Sequence, residues 1–406
     1  MLCEKLFPMV RTMLRFLTAG ESHGPELTVI LEGLPAGILL SNEDIDFQLA
    51  RRQTGEGSGG RMTIERDRVR ITGGVMAGRT TGAPISMVIA NKDFAAWVDR
   101  DIAPMTIPRP GHADLTAALK YGYRDLRLGL ERASARETAA RVAMGAVCRK
   151  VIQEFGITVG SYVLSIGVVQ ATLPTGSHFY DIFPLAETSP VRCPDRGAGE
   201  KMIEAIARAR DAGETLGGVF DCVALNLPPG LGSHVHWDRR LSAGIMAAVG
   251  SIPAIKGVQF GNAFEDTARP GTEVHDEILC DPEGMLRRAT NRAGGLEGGM
   301  TTGEPLIVRA AMKPISTTLK GLGSVDLATG EPARTVYERS DICAVPRACV
   351  VAEAMLAYVL ADALMEKLGG DSLEEMMPRY ENLKAGRIGE LPMDNTAWRF
   401  GYKLPE

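Results

Sequence analysis

The sequence lacks the spacings that place cysteines in a disulfide framework or a zinc site. Its 406 residues include seven cysteines, an odd number, and no two have Cys-x-x-Cys spacing. Reduced thiols are usual in cytosolic proteins, so we expect a cytoplasmic chain. No run of 18 apolar residues free of charge occurs, so no membrane span is predicted. A formal net charge of −5 argues against general nucleic-acid binding.

Lysine and histidine are scarce, whereas arginine is abundant. The chain has 11 lysines and six histidines against 34 arginines. Arginine binds phosphates and carboxylates through a planar fork of N–H groups, so the bias suits a site that handles anions. The coding bias of a GC-rich genome would produce the same excess without a function, and composition does not separate the two explanations.

Helix and strand signals alternate along the chain, with many glycine turns between them. Ser41 is placed to cap a helix with Asp44 at its third position, and Ser134 with Glu137 forms a capping-box pattern. We predict helices at 42–52, 134–155, 200–212, 238–249 and 346–368. We predict strands at 27–32, 84–89, 219–226, 255–260 and 306–311, and a hairpin joining 62–65 to 69–72. This alternation predicts an α+β fold in layers.

Two short motifs recur in the same order in the two halves of the chain. Leu-Pro-Ala-Gly at 34–37 returns as Leu-Pro-Pro-Gly at 227–230, and Thr-Thr-Gly-Ala-Pro at 80–84 returns as Thr-Thr-Gly-Glu-Pro at 301–305. The offsets of 193 and 221 residues differ, so the chain is not a tandem array. We interpret the motifs as two related halves of one domain. Chance recurrence of turn residues is the alternative.

Two histidines lie in turns that would hold an imidazole in place. His23 is within Gly-Glu-Ser-His-Gly, and His112 is within Arg-Pro-Gly-His-Ala-Asp, where Arg109 adds a fixed positive charge and Asp114 is placed to cap the next helix. The second pattern suits protonation of an anion or a leaving group. An ordinary hydrogen-bonded loop histidine is the alternative for both. No metal site is predicted, at the His-Val-His of 234–236 or elsewhere.

Three segments have the composition of anion-binding sites. The segment 132–137 brings Arg132 and Arg136 to a helix N-terminus, where free N–H groups and both guanidinium groups would converge on one anion. The glycine loop 54–60 lies between arginines and is a candidate lid over phosphate. The glycine-rich segment 294–299 suits close contact with a flat or phosphorylated ligand. A capped helix and a mobile surface loop are the alternative interpretations of the first two.

An acidic residue near the C-terminus is a further candidate. Asp341 follows Arg339 by two positions, just before the predicted helix at 346–368. An aspartate beside an arginine usually forms an ion pair, whereas in a buried cleft it serves as a base. The sequence leaves both interpretations open.

Taken together, six motifs resemble those of chorismate synthases. They occur in the order of that family and span residues 13 to about 370: GESHG, RPGHAD, RASARETAARVA, AGGLEGG, MKPIST and RSDICAVPRA. The resemblance implies an α+β fold, a layered β-α-β sandwich built from two similar halves in one domain, over 13–370. An N-terminal extension at 1–12 and a C-terminal tail at 371–406 lie outside it. Members of the family usually form homotetramers.

The resemblance also implies a reaction. Chorismate synthases are carbon–oxygen lyases of the shikimate pathway, in aromatic amino-acid biosynthesis, and they act on a small molecule. They eliminate phosphate from 5-enolpyruvylshikimate 3-phosphate by an anti 1,4-elimination to give chorismate. Reduced FMN is required but not consumed. No nucleic-acid or membrane partner is implied.

Residue roles follow from the same resemblance. His23 would lie beside the substrate phosphate, His112 would protonate or balance the reduced flavin, and Asp341 would act with flavin N5 in removing the ring proton. The substrate would contact Ser22, Arg52, Arg61, Arg109 and Arg136. The flavin would contact Arg132, Ala133, Ser134, Pro253, Ala254, Gly298, Lys313, Pro314, Ile315, Ser316, Thr317 and Arg339.

One loop departs from the family pattern. After Arg-Arg-Gln the family commonly has Tyr-Gly-Arg-Gly, where this chain has Glu56-Gly57-Ser58-Gly59. It therefore lacks an arginine, at Ser58, that the family associates with phosphate or NADPH contacts. Two competing functions are a flavin reductase that oxidises NADPH, which no dinucleotide fingerprint supports, and a non-catalytic anion-binding protein. The presence of His23, His112 and Asp341 together argues against the second.

Overall fold

The computed structural model describes residues 14–59, 66–174, 176–338, 340–397 and 401. The strands within these ranges are β1 (Arg15–Ala19), β2 (Glu26–Glu32), β3 (Val69–Gly73), β4 (Val75–Met76), β5 (Arg79–Thr80), β6 (Ile85–Ala90), β7 (Thr158–Ile166), β8 (Val169–Gln170), β9 (Gly218–Leu225), β10 (Ile255–Phe260), β11 (Ile278–Cys280), β12 (Leu286–Arg288), β13 (Leu296–Glu297), β14 (Met300–Thr301), β15 (Leu306–Met312), β16 (Gly323–Val325) and β17 (Pro332–Arg334). The helices are α1 (Asn42–Gln53), α2 (Asp114–Tyr121), α3 (Arg127–Ala133), α4 (Thr138–Glu154), α5 (Phe179–Thr188), α6 (Arg196–Asp211), α7 (Leu241–Gly250), α8 (Ala263–Asp266), α9 (Gly271–Val274), α10 (Val345–Leu368) and α11 (Leu373–Glu381).

Two antiparallel sheets share one strand order. The first runs β1-β2-β6-β3 and the second runs β10-β15-β9-β7-β8. Without β8, which pairs only with β7, the second reads β7-β9-β15-β10. Both sheets therefore place the first, second, fourth and third strands side by side. A helix lies between the second and third strands of each half (α1, α7), and a long helix follows the fourth (α4, α10).

The repeated motifs form the same turn in both halves. Thr80 Oγ1 donates a hydrogen bond to the carbonyl of Pro35 (2.6 Å) and accepts one from the N–H of Ile38 (3.0 Å). Thr301 makes the two corresponding bonds in the second half, at 2.6 and 2.9 Å. A threonine at this position satisfies two buried backbone groups at once, which gives the recurrence a physical reason.

The helices pack against the sheets and against one another. Helix α4 contacts β2 of the first sheet and β7 of the second, whereas α10 contacts β7 and β9. The two long helices meet at Gly145, where an added Cβ would lie 2.3 Å from the Cβ of Ala354. A glycine is therefore required for this close approach. Buried side chains of both sheets and of these helices form one continuous core.

Within the ranges given above, α10 alone is long and apolar enough to cross a membrane. However, 89% of its most apolar window is buried inside the structure. Such burial is typical of a core helix, and here the helix covers the inner face of the second sheet.

The two capping patterns had different outcomes. Ser41 forms the expected capping box with Asp44 at the start of α1, which confirms that prediction. The box predicted at Ser134 is wrong, because Ser134 accepts from the N–H of Arg136 in a short 3-10 turn and α4 begins only at Thr138. Glu137 pairs instead with Arg141, at 2.7 Å.

Other predicted elements were shifted or could not be compared. Helix α7 begins at Leu241 rather than 238, and α6 begins at Arg196 rather than 200. Residues 62–65 of the predicted hairpin lie outside the described residues. Strand β3 pairs with β6.

Candidate active site

A cavity of about 470 Å³ opens between segments of both halves of the chain. Its volume is in the range of pockets that enclose a small organic ligand. Polar and charged side chains face it beside apolar ones such as Trp97, Leu130 and Met312. Its walls include 22–23, the end of α1, 109, 111–113, 133–136, 253–254, 312–313, 315–317, 340–341, 344 and 347.

His23 is held on one wall by a carboxylate. Its Nδ1 lies 2.7 Å from Oε1 of Glu131, and its backbone N–H donates to Oε2 of the same residue, also at 2.7 Å. The imidazole lies against the Trp97 ring, with 4.2 Å between centroids. Burial tends to raise the pKa of Glu131, but the two bonds from His23 outweigh it and hold that pKa below its ordinary range. Glu131 is therefore ionised.

His112 has a similar carboxylate partner. Its Nδ1 lies 2.5 Å from Oδ1 of Asp114, whose side chain is fully buried. Arg109 donates to both oxygens of Asp114, at 2.8 and 3.0 Å, and to the hydroxyl of Thr317 at 3.1 Å. Burial tends to raise the pKa of Asp114, but bonds from His112 and Arg109 hold it well below its usual range. Asp114 does not cap α2, contrary to expectation, because these partners occupy its carboxylate.

A buried carboxylate joins two arginines of the cavity wall. Asp67 accepts a 2.6 Å hydrogen bond from Arg136 and lies 3.6 Å from Nη1 of Arg52. Arg52 also donates to the hydroxyl of Thr138 at 2.9 Å. Burial lowers the pKa of Arg52 to about 10, against the opposing charge of Asp67, so the guanidinium stays charged at neutral pH. Arg52 and Arg136 thus bring two guanidinium groups to this wall.

Asp341 is bonded through both carboxylate oxygens. Oδ1 accepts from the N–H of Gly59 at 2.9 Å, and Oδ2 accepts from Nη1 of Arg347 at 2.6 Å. A Cβ on Gly59 would lie 2.6 Å from the carbonyl oxygen of Ser340, so the loop approaches as closely as only glycine permits. The described part of the glycine loop therefore packs directly on the segment that carries Asp341.

Metal binding has no support in the part of the chain that the structure describes. Within it, no three or more His, Cys, Asp and Glu side chains are grouped to hold an ion. His236 lies in an exposed irregular segment, where its ring bonds to Asp238 at 2.7 Å.

Comparisons with known proteins agree on one family. The family model described as chorismate synthase matches residues 14–365. The chorismate synthase of Geobacillus thermodenitrificans (strain NG80-2) is 51% identical over 382 residues, which cover 91% of this chain and 98% of that protein. The chorismate synthase of Bacillus subtilis (strain 168) is 50% identical over 384 residues, with the same coverage. The chain belongs to the chorismate synthase family. It is thus a lyase of the shikimate pathway, as the motifs indicated.

A solved structure gives the same result. A crystal structure of a chorismate synthase superimposes with a TM-score of 0.75 at 46% identity, covering 91% of this chain and 96% of that one. The shared fold has mixed helix and strand content, as predicted.

Most residues that the chorismate synthase resemblance implies for the site lie around the one cavity. Those that line it are Ser22, His23, Arg52, Arg109, His112, Ala133, Ser134, Arg136, Pro253, Ala254, Lys313, Ile315, Ser316, Thr317 and Asp341. Arg132, Gly298 and Pro314 do not line it. Arg61 and Arg339 lie outside the described residues. The role of each residue remains a prediction.

Two of the residues away from the lining have other surroundings. Arg132 donates to the carbonyl and the hydroxyl of Thr18, at 2.9 and 2.8 Å, at the end of β1. The guanidinium groups of Arg132 and Arg136 therefore do not converge on one anion, contrary to the sequence hypothesis. Gly298 lies in the β13–β14 turn, where an added Cβ would be nearest to His234 and Met300.

Sequence reasoning did not assign four residues that complete the site. Arg347 lies within the RSDICAVPRA motif, and Glu131 lies three positions before Ser134, so their places in the sequence were available signals. Asp67 and Trp97 lie in no motif. Tertiary packing alone brings Trp97 to the cavity wall and Asp67 against Arg52 and Arg136.

Proposed function

We propose that this cavity converts 5-enolpyruvylshikimate 3-phosphate into chorismate and phosphate, with reduced FMN bound beside the substrate. The observation that carries the proposal is the placement of His23, His112 and Asp341 around one cavity whose wall also contains Arg52 and Arg136. Two groups able to exchange protons and one carboxylate base are the chemistry that an elimination with an anionic leaving group needs.

The arginines of the cavity wall suit the charges of the substrate. The substrate carries one phosphate and two carboxylates, and Arg52 and Arg136, which both contact Asp67, line the cavity. Nη1 of Arg52 is buried without a hydrogen-bond partner among the described residues. A substrate anion near it would stabilise an otherwise unsatisfied buried donor.

The remaining walls fit FMN. Ala254 has a positive φ of 68°, and residues 133–134, 312–313 and 315–317 line the cavity, among them the apolar Met312 and Ile315. Apolar faces with a few fixed polar groups suit a flat heteroaromatic ring. Lys313, whose Nζ donates to the carbonyl of Gly111 at 2.8 Å, is placed to offset a negative charge. When bound, reduced FMN supplies electron density that eases departure of the phosphate.

The chain's own groups handle the protons. Asp341 accepts the ring proton, since Arg347 and the N–H of Gly59 hold its carboxylate in place at the cavity wall. His23 faces the departing phosphate. His112, held in place by Asp114, lines the cavity beside the proposed cofactor position.

We propose also that the chain is one domain, over 13–370, forming a β-α-β sandwich of two similar halves. The equal strand orders, the matching Thr80 and Thr301 turns and the helices against both sheets support this. Beyond 370, helix α11 buries Met376.

A homotetramer in the cytoplasm is also proposed. Exposed apolar side chains such as Leu17 and Trp237, each 71% exposed, suit contacts between subunits. Six cysteines within the described ranges are free, which suits a reducing compartment.

The deciding experiment is anaerobic turnover of 5-enolpyruvylshikimate 3-phosphate by the purified protein with dithionite-reduced FMN. Chorismate absorbance and released phosphate are followed together, with oxidised FMN as the control. We expect both products only with reduced FMN. If FMN and substrate bind but neither product forms, the proposed function is wrong, and the Glu56–Gly59 loop is the first segment to exchange for the family sequence.

A further inference from the structure

We propose that Glu131 is a positioning residue for His23: its carboxylate stabilises the doubly protonated ring with Nε2–H available to the departing phosphate. This inference rests on the proposed function, in which His23 lies beside that phosphate. Glu131 was not implied by any sequence motif. It acts through His23 rather than on the substrate.

The geometry fixes both the turn and the ring. One carboxylate oxygen of Glu131 accepts from the backbone N–H of His23 and the other is bonded to Nδ1, both at 2.7 Å. The side chains of His23 and Glu131 are 17% and 13% exposed. Trp97 packs against the imidazole and restricts its rotation. Nε2 is then the ring atom left for a ligand in the cavity.

The hydrogen-bond chemistry selects a protonation state. An ionised carboxylate only accepts, so Nδ1 must carry a proton. The oxygens of the departing phosphate also accept hydrogen bonds, so Nε2 must carry a proton too. A ring protonated on both nitrogens is a cation, and the adjacent charge of Glu131 stabilises it. Glu131 thus sets the state in which His23 meets its ligand.

The proton balance is simple. As the carbon–oxygen bond breaks, its electron pair stays on the phosphate oxygen, and the Nε2 proton moves to that oxygen. The ring becomes neutral and keeps its proton on Nδ1. Glu131 remains ionised throughout, so it needs no proton of its own.

Three other charged side chains lie near the His23 imidazole or the Trp97 ring that packs against it. Oδ2 of Asp93 lies 4.0 Å from Nε2, and it adds to the negative charge beside the ring. Arg127 and Arg100 lie over the Trp97 ring, at 5.7 and 5.9 Å from its centroid. The charge of Arg127 also helps to lower the pKa of Glu131. Of these groups, Glu131 alone bonds the imidazole directly at a short distance.

Two substitutions separate charge from shape. Glu131→Gln keeps an oxygen acceptor for the backbone N–H but removes the negative charge. Glu131→Asp keeps the charge on a shorter side chain. Glu204→Gln is the matched control, because Glu204 is 67% exposed and forms only an exposed pair with Arg208. Melting temperatures establish that each variant is folded.

The test measures kcat/KM with reduced FMN from about pH 6 to 9, and binding of inorganic phosphate by calorimetry over the same range. For Glu131→Gln we expect kcat/KM to fall about 10–100-fold, and the alkaline limb of its pH profile to move to lower pH. Binding of phosphate to this variant should weaken more steeply as pH rises. Glu131→Asp should keep the wild-type alkaline limb even at lower turnover.

Two results would overturn the inference. One is a uniform loss across pH in Glu131→Gln with unchanged pH dependence of phosphate binding, which would reduce Glu131 to a clamp on the turn. The other is an identical shift of the alkaline limb in Glu131→Gln and Glu131→Asp. An inactive wild-type protein would instead count against the proposed function. The phosphate titrations would still test the effect of Glu131 on the pH dependence of phosphate binding.

Discussion

Substituting Glu353 by Gln should destabilise the fold substantially. Glu353 lies on α10 with 1% of its side chain exposed. It accepts hydrogen bonds from Arg51 at 2.6 and 2.9 Å, from Arg149 at 2.7 Å and from Ser161 at 2.5 Å, and lies 3.3 Å from Arg192. Burial opposes its ionisation, but the facing arginines hold its pKa well below the usual range.

The size of this destabilisation follows from the arginines that lose their carboxylate partner in Glu353→Gln. Arg51 and Arg192 would share only Glu187, whose side chain is 39% exposed, and Arg149 would lose the carboxylate that it contacts among the described residues. Removing one partner of a buried ion pair costs about 3–5 kcal/mol. An unfolding entropy of about 2.1 cal/mol/K per residue gives about 0.85 kcal/mol/K for this 406-residue chain. The melting temperature should therefore fall by about 4–6 °C.

The pH dependence of this loss has a definite sign. Because the folded state lowers the pKa of Glu353 from its ordinary value of 4.5, the stabilisation that Glu353 provides is complete above that value and is lost as pH falls below it. Differential scanning calorimetry compares wild type with Glu353→Gln, and Glu204→Gln is the control. The difference in melting temperature between wild type and Glu353→Gln should be constant above about pH 5.5 and should narrow below about pH 4.5. A difference in melting temperature below about 1 °C at pH 7 would refute the reasoning, because Glu353 and its arginines would then contribute almost nothing to the free energy of unfolding.

Three further substitutions test the site. His112→Ala should keep the fold and lower turnover at least about 100-fold, and near-normal turnover would remove His112 from the mechanism. Arg52→Ala should raise KM more than it lowers kcat, because the buried guanidinium faces the substrate anions; an unchanged apparent affinity would contradict that contact. Gly59→Ala should displace Ser340 and Asp341 and lower turnover about tenfold or more, while Gly250→Ala, where an added Cβ has nothing within 4 Å, should not. Steady-state kinetics with reduced FMN measure all three.

Local signals predicted the fold where their partners are close in sequence. The box of Ser41 and Asp44 spans three residues and forms as expected. The same pattern at Ser134 does not form a capping box, because Glu137 pairs with Arg141, one turn into α4. Strand β7 gave no alternating pattern, since nearly all its residues are buried on both faces. Its outer face lies under α5, where Gly160 admits the ring of Phe183. That cover is a tertiary contact, which periodicity does not contain.

The residues of the motifs could be predicted, but the carboxylates that lie far from them in sequence could not. His23, His112 and Asp341 stand in motifs, so the resemblance found them. His112 has its carboxylate two positions along the chain, at Asp114, whereas the carboxylate of His23 is 108 positions away. Asp67 lies 69 positions from Arg136. Sequence distance hides such partners, because only the packed fold decides which carboxylate reaches which cation.

The carboxylates of the site have one consequence for function. Glu131 bonds His23, Asp114 bonds both His112 and Arg109, and Asp341 bonds Arg347, so each pair is already in place without a substrate. A free arginine or histidine would lose side-chain entropy when an anion bound, whereas a cation fixed by a buried carboxylate has already lost it. The cavity therefore presents oriented positive groups before charge develops on the leaving phosphate. Such preorganised groups stabilise developing charge most effectively.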